Sequence, residues 1–331
     1  MKEPMIQVFN LKKTYHIPVR NQGLLASFHS LIHPQYRDVK AVDDINFEIR
    51  RGEIVGLIGS NGAGKTTTLK MLTGLLYPTS GMIKVDGFTP HQRSNDYLKK
   101  ISLVMGNKSQ LNQSITVQDS FYITKEIYHI KPDQFKQQLD ELVELLELSE
   151  LLQKLPRNLS LGERAKCEFA NALLYQPEIL FLDEPTLGMD VSIQLRLRKF
   201  IKEYHQKHGT TIIITSHYMA DITSLCSRIL MINKGELIYN GNLDELSAKI
   251  LPFKLLKVTT EQPFELSDLP NTLHADLIEN ENLTYTLRSK KDEISKLTSY
   301  LLENFTINDL TIENPSIDMV IDQVYQGGCA I

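Results

Sequence analysis

The sequence has no long hydrophobic run. A membrane-spanning helix needs about 18 consecutive apolar residues, whereas the best apolar runs here, such as Ile54–Ile58 and Ile179–Leu182, have only the length of strands. Met1–Asn10 also lacks the apolar segment of a secretory signal peptide. We therefore expect a chain that has neither a membrane span nor a secretion signal.

Cysteine is scarce, with three residues in 331. Cys167, Cys226 and Cys329 show neither metal-ligand spacing nor a disulfide framework, so reduced cytosolic thiols are expected. The net charge of −4 is small and argues against non-specific binding of nucleic acid. From Leu251 onward 13 Asp and Glu residues stand against six Lys and Arg residues, so the C-terminal segment is acidic.

Strand-like and helix-like segments alternate through most of the chain. Apolar runs predict strands at Val8–Leu11, Ile45–Ile49, Ile54–Ile58, Met82–Val85, Ile101–Met105, Ile179–Leu182, Thr211–Thr215 and Ile229–Ile232. A helix is predicted from Lys65, with apolar positions at Leu69, Leu72 and Leu76, and another at Val191–His205. Strands separated by helices indicate right-handed crossovers and a parallel sheet.

Two regions depart from this alternation. From about Val117 to Leu174 the apolar residues recur at helical spacing, which predicts a helical insertion within the α/β domain. After Lys249 the pattern restarts with short alternating segments, followed by a helix near Ile294–Asn304. This restart predicts a domain boundary near residues 245–255.

The segment from Gly59 to Thr66 fits the phosphate-loop pattern G-x-x-x-x-G-K-[ST]. A predicted strand precedes it and a predicted helix begins at its end, as the motif requires. Backbone N–H groups and the positive end of the helix dipole would face one anion there. Lys65 would reach the β- and γ-phosphates, and the Thr66 hydroxyl would bind Mg²⁺.

Two acidic residues, Asp183 and Glu184, follow the apolar run Ile179–Leu182. A buried parallel strand would expose both at its carboxyl end, which is the edge where open α/β sheets bind ligands. Asp183 would hold Mg²⁺, directly or through water. Glu184 could orient and deprotonate an attacking water molecule, which is the work of a general base.

Four motifs resemble those of an ATP-binding cassette (ABC) ATPase and stand in the same order. They are Gly59–Thr66, Leu159–Glu163, Leu180–Pro185 and Thr215–His217. The resemblance covers about residues 5–245 and implies ATP hydrolysis with ATP and Mg²⁺ as ligands. It also implies an α/β fold: a P-loop NTPase core with a mostly parallel sheet, a small antiparallel β subdomain and a helical subdomain.

The chain is expected to have two parts, of which only the first carries the motifs of this resemblance. Residues 1–245 would form the ATP-binding cassette, with the helical subdomain at about residues 107–165. Residues 250–331 would form a small α+β accessory domain, for which a regulatory or dimer-supporting role is the natural expectation.

The same resemblance assigns roles within one nucleotide site. Tyr15 resembles the aromatic residue that stacks on adenine, and His217 resembles the switch histidine that contacts the γ-phosphate. Glu184, His217 and Lys65 are the implied catalytic residues. The implied nucleotide contacts in and beside the phosphate loop are Ser60, Asn61, Gly62, Ala63, Gly64, Lys65, Thr66 and Thr67.

Three further residues are expected to act across a dimer interface. Ser160 and Gly162 lie in the segment that resembles the family's signature loop, which opens a helix and binds the γ-phosphate of ATP held by the opposite protomer. Asp190 resembles the residue of the loop that crosses the interface. A second copy of the chain, or a homologous ATPase subunit, would therefore complete a dimer around two ATP molecules.

The signature segment departs from the usual Leu-Ser-Gly-Gly-Gln, because Leu161 stands third and Glu163 fifth. The N–H of Leu161 remains available. Phosphate binding would fail only if this position requires a positive φ, which leucine avoids.

The loop that usually carries a Mg²⁺-linked glutamine also differs. Counting back from Thr116 places Asn107 at the glutamine position, with Gln110 three residues later. Asparagine is shorter by one methylene, so either Asn107 acts through water or Gln110 replaces it. Spacing favours Asn107, and both are candidate metal ligands.

Several features resemble a branch of bacterial ATP-binding subunits that pair with separately encoded permeases and are mainly associated with export. They are Tyr36–Asp38, Ser109–Leu111, and Leu161 together with Arg164. The resemblance implies polytopic permease subunits as partners and no nucleic acid. The chain would be cytoplasmic and peripheral on the inner face of the cell membrane through its permease.

Two alternatives to a transporter subunit remain. Soluble ABC ATPases that act on ribosomes usually carry two cassettes and repair machines carry long heptad insertions, whereas this chain has one phosphate loop and no such insertion. A non-catalytic nucleotide sensor would usually have lost Glu184 or His217, and both are present.

The segment His16–Lys40 is longer than the usual connection that follows the adenine-stacking tyrosine. Within it, five apolar residues fall on one helical face: Leu24, Leu25, Phe28, Leu31 and Ile32. They predict a small helix, which would pack on its own domain or touch the permease or the membrane surface.

Overall fold

The structure is a computed structural model that describes residues 4–18, 36–270 and 273–327. The chain divides into two compact units, of which one extends to Gly241 and the other begins at Asn242. Each unit has its own cluster of buried apolar side chains. All sequence motifs named above lie in the first unit.

The elements are numbered here in chain order within the described residues. The strands are β1 (Pro4–Pro18), β2 (Tyr36–Arg50), β3 (Ile54–Gly59), β4 (Ser80–Val85), β5 (Ile101–Met105), β6 (Ile179–Asp183), β7 (Thr211–Thr215), β8 (Arg228–Asn233), β9 (Glu236–Asn242), β10 (Phe253–Thr260), β11 (Asp276–Glu281), β12 (Thr284–Lys290) and β13 (Ile307–Glu313). The helices are α1 (Lys65–Leu72), α2 (Asn95–Leu98), α3 (Val117–Tyr128), α4 (Pro132–Leu146), α5 (Leu161–Leu173), α6 (Val191–His208), α7 (Met219–Leu225), α8 (Leu243–Ile250), α9 (Ile294–Asn304) and α10 (Ile317–Gly327).

A six-stranded sheet forms the centre of the first unit, in the order β5-β6-β7-β3-β8-β9. The pairs β5–β6, β6–β7, β7–β3 and β3–β8 are parallel. The central strands are apolar and buried along most of their length, as expected when helices cover both faces of a parallel sheet. This confirms the predicted α/β fold and brings the carboxyl ends of β3, β6 and β7 to one edge.

A three-stranded antiparallel sheet, β2-β1-β4, forms the second layer of strands in this unit. The hairpin of β1 and β2 is longer than the sequence suggested, because pairing continues to Pro18 opposite Tyr36. The prediction that His16–Lys40 is one connection is therefore wrong at both ends. The candidate helix with Leu24, Leu25, Phe28, Leu31 and Ile32 lies outside the described residues.

Helix α1 ends at Leu72, so the prediction that Leu76 belongs to it is wrong. The N–H groups of Leu75 and Leu76 both donate to the carbonyl of Lys70, which ends the regular α-helical ladder. Leu76 packs against the same core from the turn that follows. Its apolar character is therefore explained by packing rather than by helical continuation.

A buried ion pair stabilises the segments around the carboxyl ends of β6 and β7. Asp221 is fully buried, and its carboxylate accepts hydrogen bonds from Arg198 Nε at 2.6 Å, Ser216 Oγ at 2.7 Å and Thr186 Oγ1 at 2.5 Å. The side chain of Arg198 is 12% exposed. One carboxylate thus holds α6, α7 and two loops that leave the sheet.

We expect Asp221→Ala to lower the free energy of unfolding by about 3–5 kcal/mol, because the buried Arg198 cation loses its partner. Urea unfolding followed by circular dichroism would measure this. Glu203→Ala is a matched control, since Glu203 pairs with Lys199 on the exposed side of α6 and such pairs contribute about 0.3–0.5 kcal/mol. If Asp221→Ala and Glu203→Ala lowered the free energy of unfolding equally, the buried pair of Asp221 and Arg198 would be no more stabilising than an exposed one.

The second unit is built on a four-stranded antiparallel sheet in the order β11-β12-β10-β13. Leu256, Val258 and Leu287 point from it into a core that also contains Leu297 and Leu301 of α9. Among the described residues of the whole chain, no helix is long and apolar enough to cross a membrane.

Candidate functional site

Three residues from the sequence motifs, Thr66, Asp183 and Thr215, meet at the carboxyl edge of the parallel sheet. Asp183, at the end of β6, is in register with Thr215 at the end of β7. The Thr215 hydroxyl donates to Asp183 Oδ1 at 2.8 Å, and the Thr66 hydroxyl donates to the same oxygen at 3.2 Å. The first turn of α1 therefore faces the acidic end of β6.

The phosphate loop contains a glycine in the left-handed region of backbone conformation. Gly64 has φ of +113°, and a Cβ at this position would lie 2.4 Å from the carbonyl oxygen of Ala41. Only glycine fits this close approach to β2. Ser60, Asn61 and Gly62 are exposed, whereas Ala63 is buried beneath them. The loop thus presents its outer turn to solvent above a fixed base.

Lys65 folds back over the phosphate loop. Its Nζ donates to the carbonyl oxygens of Gly59 at 2.6 Å and Ser60 at 3.2 Å, and the residue is buried. Burial lowers the pKa of Lys65, while the nearby carboxylates of Glu184 and Asp183 oppose this shift. A phosphate would give this partly desolvated ammonium group a stronger partner than the two neutral carbonyl groups.

Glu184 lies one residue beyond β6 in a strained conformation, with φ of +54°. Its N–H donates to the carbonyl and to the hydroxyl of Thr215, both at 3.1 Å, which holds the backbone in place. Its Oε2 accepts from the N–H of His217 at 3.0 Å, and Oε1 lies 3.1 Å from His217 Nε2. Glu184 and His217 are therefore in direct contact.

Burial raises the pKa of Glu184 above its ordinary value, with smaller opposing effects from His217 and Lys65. A carboxylate with a raised pKa is a stronger base than an exposed one. The strained, partly buried carboxylate therefore has the properties of a general base rather than those of a solvated residue at the end of a strand.

The oxygen atoms around Asp183 suit a magnesium ion, which prefers carboxylate, hydroxyl, phosphate and water ligands. Thr66 and Asp183 supply a hydroxyl and a carboxylate side by side. Within the described residues no three His, Cys, Asp or Glu side chains are grouped as a metal site. One carboxylate and one hydroxyl fit the way Mg²⁺ is usually bound together with substrate phosphates and water.

The two candidates for the glutamine position differ in their surroundings. The side-chain amide of Gln110 donates to the carbonyl oxygen of Leu103, so it is already engaged. Asn107 is exposed, and its side chain makes no hydrogen bond to the described parts of the chain. Asn107 directly follows Gly106, whose N–H donates to the carbonyl oxygen of Asp183 at 2.9 Å.

The signature segment forms the start of α5. Ser160 is the N-cap: its hydroxyl accepts from the N–H of Glu163 at 3.2 Å, and its own N–H donates to Glu163 Oε2 at 2.8 Å. Glu163 in place of the usual glutamine thus completes a capping box. The proton of the Ser160 hydroxyl remains able to donate to an anion at the helix start.

The substitutions in this segment are compatible with its backbone. Leu161 is the first residue of the helix and is not among the described residues with positive φ, so leucine is tolerated there. Gly162 packs closely against α6: a Cβ at this position would lie 1.9 Å from Cδ1 of Ile193 in the first turn of that helix, so the Ile193 side chain would have to move to admit one. This contact places the starts of α5 and α6 side by side.

Asp190 and Tyr15 occupy separate positions in the first unit. Asp190 caps α6: its carboxylate accepts a hydrogen bond from the N–H of Ile193 at 3.0 Å. Hydrogen bonds from Ser192 and Ile193 lower the pKa of Asp190.

Tyr15 is exposed on β1, opposite Val39 of β2. Two residues further along β2, Ala41 contacts the phosphate loop, so the Tyr15 hairpin borders this loop.

Sequence reasoning missed Thr215 as a site residue, although it begins the Thr-Ser-His motif. Its hydroxyl contacts both Asp183 and the N–H of Glu184. The sequence carried one signal: Thr215 ends the predicted strand Thr211–Thr215, and the carboxyl ends of parallel strands lie along one edge of the sheet. The pairing of Thr215 with Asp183 in register is visible only in the structure.

Comparison with known proteins decides the family. Residues 42–187 match the profile of the family described as "ABC transporter". The chain is 34% identical over 208 residues to the ABC transporter ATP-binding protein NatA of Bacillus subtilis, covering 63% of this chain and 84% of that protein. It is 32% identical over 281 residues to the bacitracin transport ATP-binding protein BcrA of Bacillus licheniformis, covering 84% of this chain and 87% of that protein.

The chain belongs to the family of ABC transporter ATP-binding proteins. Among solved structures it is similar to cbiO1 of Clostridium perfringens, part of the ABC transporter complex cbiONQ, with 25% identity, a TM-score of 0.59, and coverage of 75% of this chain and 92% of that one. The recognised ABC ATPase fold is thereby confirmed. As a member of this family, the chain is an ATP-binding and ATP-hydrolysing subunit of a transporter.

Proposed function

We propose that this ABC ATPase closes around two ATP molecules as a dimer and drives a separate membrane permease. The observation that carries the proposal is the direct contact of Glu184 with His217 beside the phosphate loop, at 3.1 Å between Oε1 and Nε2. A general base and a γ-phosphate sensor that touch each other form a unit suited to hydrolysis as well as to nucleotide binding.

Each half-site would use residues of one chain to hold the nucleotide. Tyr15 would stack on adenine, and residues 60–67 would surround the phosphates, with Lys65 exchanging its carbonyl partners for phosphate oxygens. Mg²⁺ would be held by Thr66 and Asp183, with Asn107 acting through water, and it would neutralise phosphate charge. Glu184 would take the proton of the attacking water.

The second protomer would complete the site across the interface. Ser160 and Gly162 open a helix whose first N–H groups suit the γ-phosphate of the opposite ATP. Asp190 would lie in the crossing loop. Because the γ-phosphate joins the two chains only while it is intact, hydrolysis would release the closed state, and the ligand would bias a two-state equilibrium.

The permease contact is proposed on the helical region. Helix α3 exposes Tyr122, Ile123 and Ile127, the last with 64% of its surface accessible. Adjacent exposed apolar side chains of this kind mark a surface for another protein. Through this contact the chain would sit at the inner face of the membrane without a span of its own.

Export is the direction that we propose. It rests on the resemblance of Leu161, Arg164 and Ser109–Leu111 to exporter-type subunits. The similarity to BcrA adds support for a transporter with a matching accessory unit, because an alignment of 281 residues is longer than the first unit and must include part of the second.

Affinity purification from detergent-solubilised membranes tests the proposal. We expect the tagged chain to recover a stoichiometric polytopic membrane protein, and Ile127→Glu to reduce this recovery more than tenfold. Leu302→Glu is the control, since Leu302 is 58% exposed on α9 in the second unit. ATP-driven accumulation of cargo in inside-out vesicles would then establish export. A chain recovered only with ribosomes or other soluble complexes would refute the permease proposal.

A further inference from the structure

Glu168, in the middle of α5, is buried although it is charged. Its carboxylate accepts hydrogen bonds from the Ser109 hydroxyl, from the N–H of Gln110 to both oxygens at 3.0 Å, and from the N–H of Leu111 at 3.3 Å. Burial of a carboxylate is unfavourable unless such donors compensate it. Here all of them come from one segment, Ser109–Leu111, on a different part of the first unit.

This segment is connected to the nucleotide edge of the sheet. It begins three residues after Gly106, whose N–H donates to the carbonyl oxygen of Asp183 at 2.9 Å. Asn107 lies between these two attachments and has no attachment of its own among the described residues. The position of Asn107 therefore depends on three neighbouring contacts: Gly106 with Asp183, the turn closed by the N–H of Lys108 on the carbonyl oxygen of Met105 at 3.1 Å, and Ser109–Leu111 with Glu168.

The same helix also carries the signature segment. Ser160 caps α5, and Glu168 lies about two turns further along. A short helix transmits a displacement of one end to the other with little bending. A movement of Ser160 towards a phosphate would therefore move Glu168, and with it the segment Ser109–Leu111.

We propose that Glu168 is a positioning residue that fastens Ser109–Leu111 to α5, so that a movement of Ser160 is transmitted to the segment that begins two residues after Asn107. A charged acceptor with several donors suits this purpose, because charge-assisted hydrogen bonds are about twice as strong as neutral ones. The capture of one ATP by Ser160 would thereby control the approach of Asn107 to the metal of the other half-site. The link to the metal rests on the proposed role of Asn107. The attachment of Ser109–Leu111 to Glu168 does not depend on that role.

Glu168→Gln is the sharpest variant. Because the N–H of Gln110 donates to both carboxylate oxygens, either orientation of the new carboxamide brings its NH₂ group against that donor. Ser109→Ala removes one donor and leaves the carboxylate intact, so its effects should be smaller and in the same direction. Glu144→Gln, on the exposed side of α4, removes the same charge elsewhere in the helical region and is the control.

Hydrogen exchange of the purified full chain measures the fastening directly. We expect the Gln110 and Leu111 amides to exchange about tenfold faster in Glu168→Gln, the loss expected for hydrogen bonds to a charged group. Amides within α5 should remain protected, and Glu144→Gln should match the wild type. Unchanged exchange at Gln110 and Leu111, or equal loosening of all of α5, would overturn the proposal.

The positioning of Asn107 has a second readout, the binding of Mn²⁺ in place of Mg²⁺ with a non-hydrolysable ATP analogue, followed by electron paramagnetic resonance. Glu168→Gln should weaken Mn²⁺ binding roughly tenfold, with metal-free nucleotide affinity unchanged. Asn107→Ala should weaken Mn²⁺ binding to a similar extent. If Asn107→Ala weakens Mn²⁺ binding and Glu168→Gln does not, the positioning role of Glu168 is refuted. If neither variant does, the metal role of Asn107 fails, and hydrogen exchange alone decides the fastening.

Discussion

Glu184→Gln is expected to slow ATP hydrolysis about 10²–10⁴-fold, the usual contribution of a general base. Glutamine keeps the shape of the side chain and can still accept a hydrogen bond from the N–H of His217, which the carboxylate now receives at 3.0 Å. It cannot take a proton from water. Steady-state phosphate release at saturating Mg²⁺ and ATP measures the effect.

ATP binding should survive this substitution. Lys65 and the phosphate loop do not depend on the charge of Glu184 for their backbone contacts. The variant should therefore accumulate as an ATP-bound dimer, visible as a doubled mass by light scattering with ATP and as a monomer with ADP. Wild-type-like hydrolysis in the variant would rule out Glu184 as the base.

The pH dependence provides an independent check on the same residue. Burial raises the pKa of Glu184, and a base works only when it is deprotonated. The rate of the wild type should therefore fall as the pH is lowered through this raised pKa, at a higher pH than for an exposed glutamate. The residual activity of Glu184→Gln should lack this acidic limb. An identical limb in both proteins would assign it to another group.

The parts of the site that could be predicted from the sequence are those fixed by local chemistry. A glycine-rich turn between a buried strand and a helix specifies its own backbone, so the phosphate loop was recognisable without tertiary information. Asp183 and Glu184 were recognisable because they follow an apolar run, and a buried strand can carry charged residues at its carboxyl end. The parallel sheet then determined which edge they share.

The parts that could not be predicted depend on contacts between distant segments. Glu168 and Asp221 carry no local signal, since a single acid within a helix is usually solvated. Their importance comes from donors 58 and 35 residues away, at Gln110 and Thr186. The length of the first hairpin was equally hidden, because the pairing of residues 16–18 with residues 36–38 joins segments 18 to 22 residues apart and is not visible in either segment alone.

Lys65→Ala is expected to weaken ATP binding about 10²-fold, because an ammonium group that bridges the β- and γ-phosphates contributes at least two charge-assisted hydrogen bonds of about 1.5–3 kcal/mol each. Competition with a fluorescent ATP analogue would measure the affinity. The affinity for AMP, which has neither phosphate, should change little. The ratio of ATP to AMP affinity therefore isolates the contribution of Lys65 from any general damage to the loop.

Two substitutions separate charge from geometry. Lys65→Arg keeps the positive charge, but the larger guanidinium group cannot fit where Nζ now lies 2.6 Å from the carbonyl oxygen of Gly59. The ATP affinity of Lys65→Arg should therefore be closer to that of Lys65→Ala than to that of the wild type. Lys70→Ala, later in α1, removes the same charge away from the loop and should bind ATP normally. Equal affinities of Lys65→Ala and Lys70→Ala for ATP would show that the phosphate loop does not bind the terminal phosphates through Lys65.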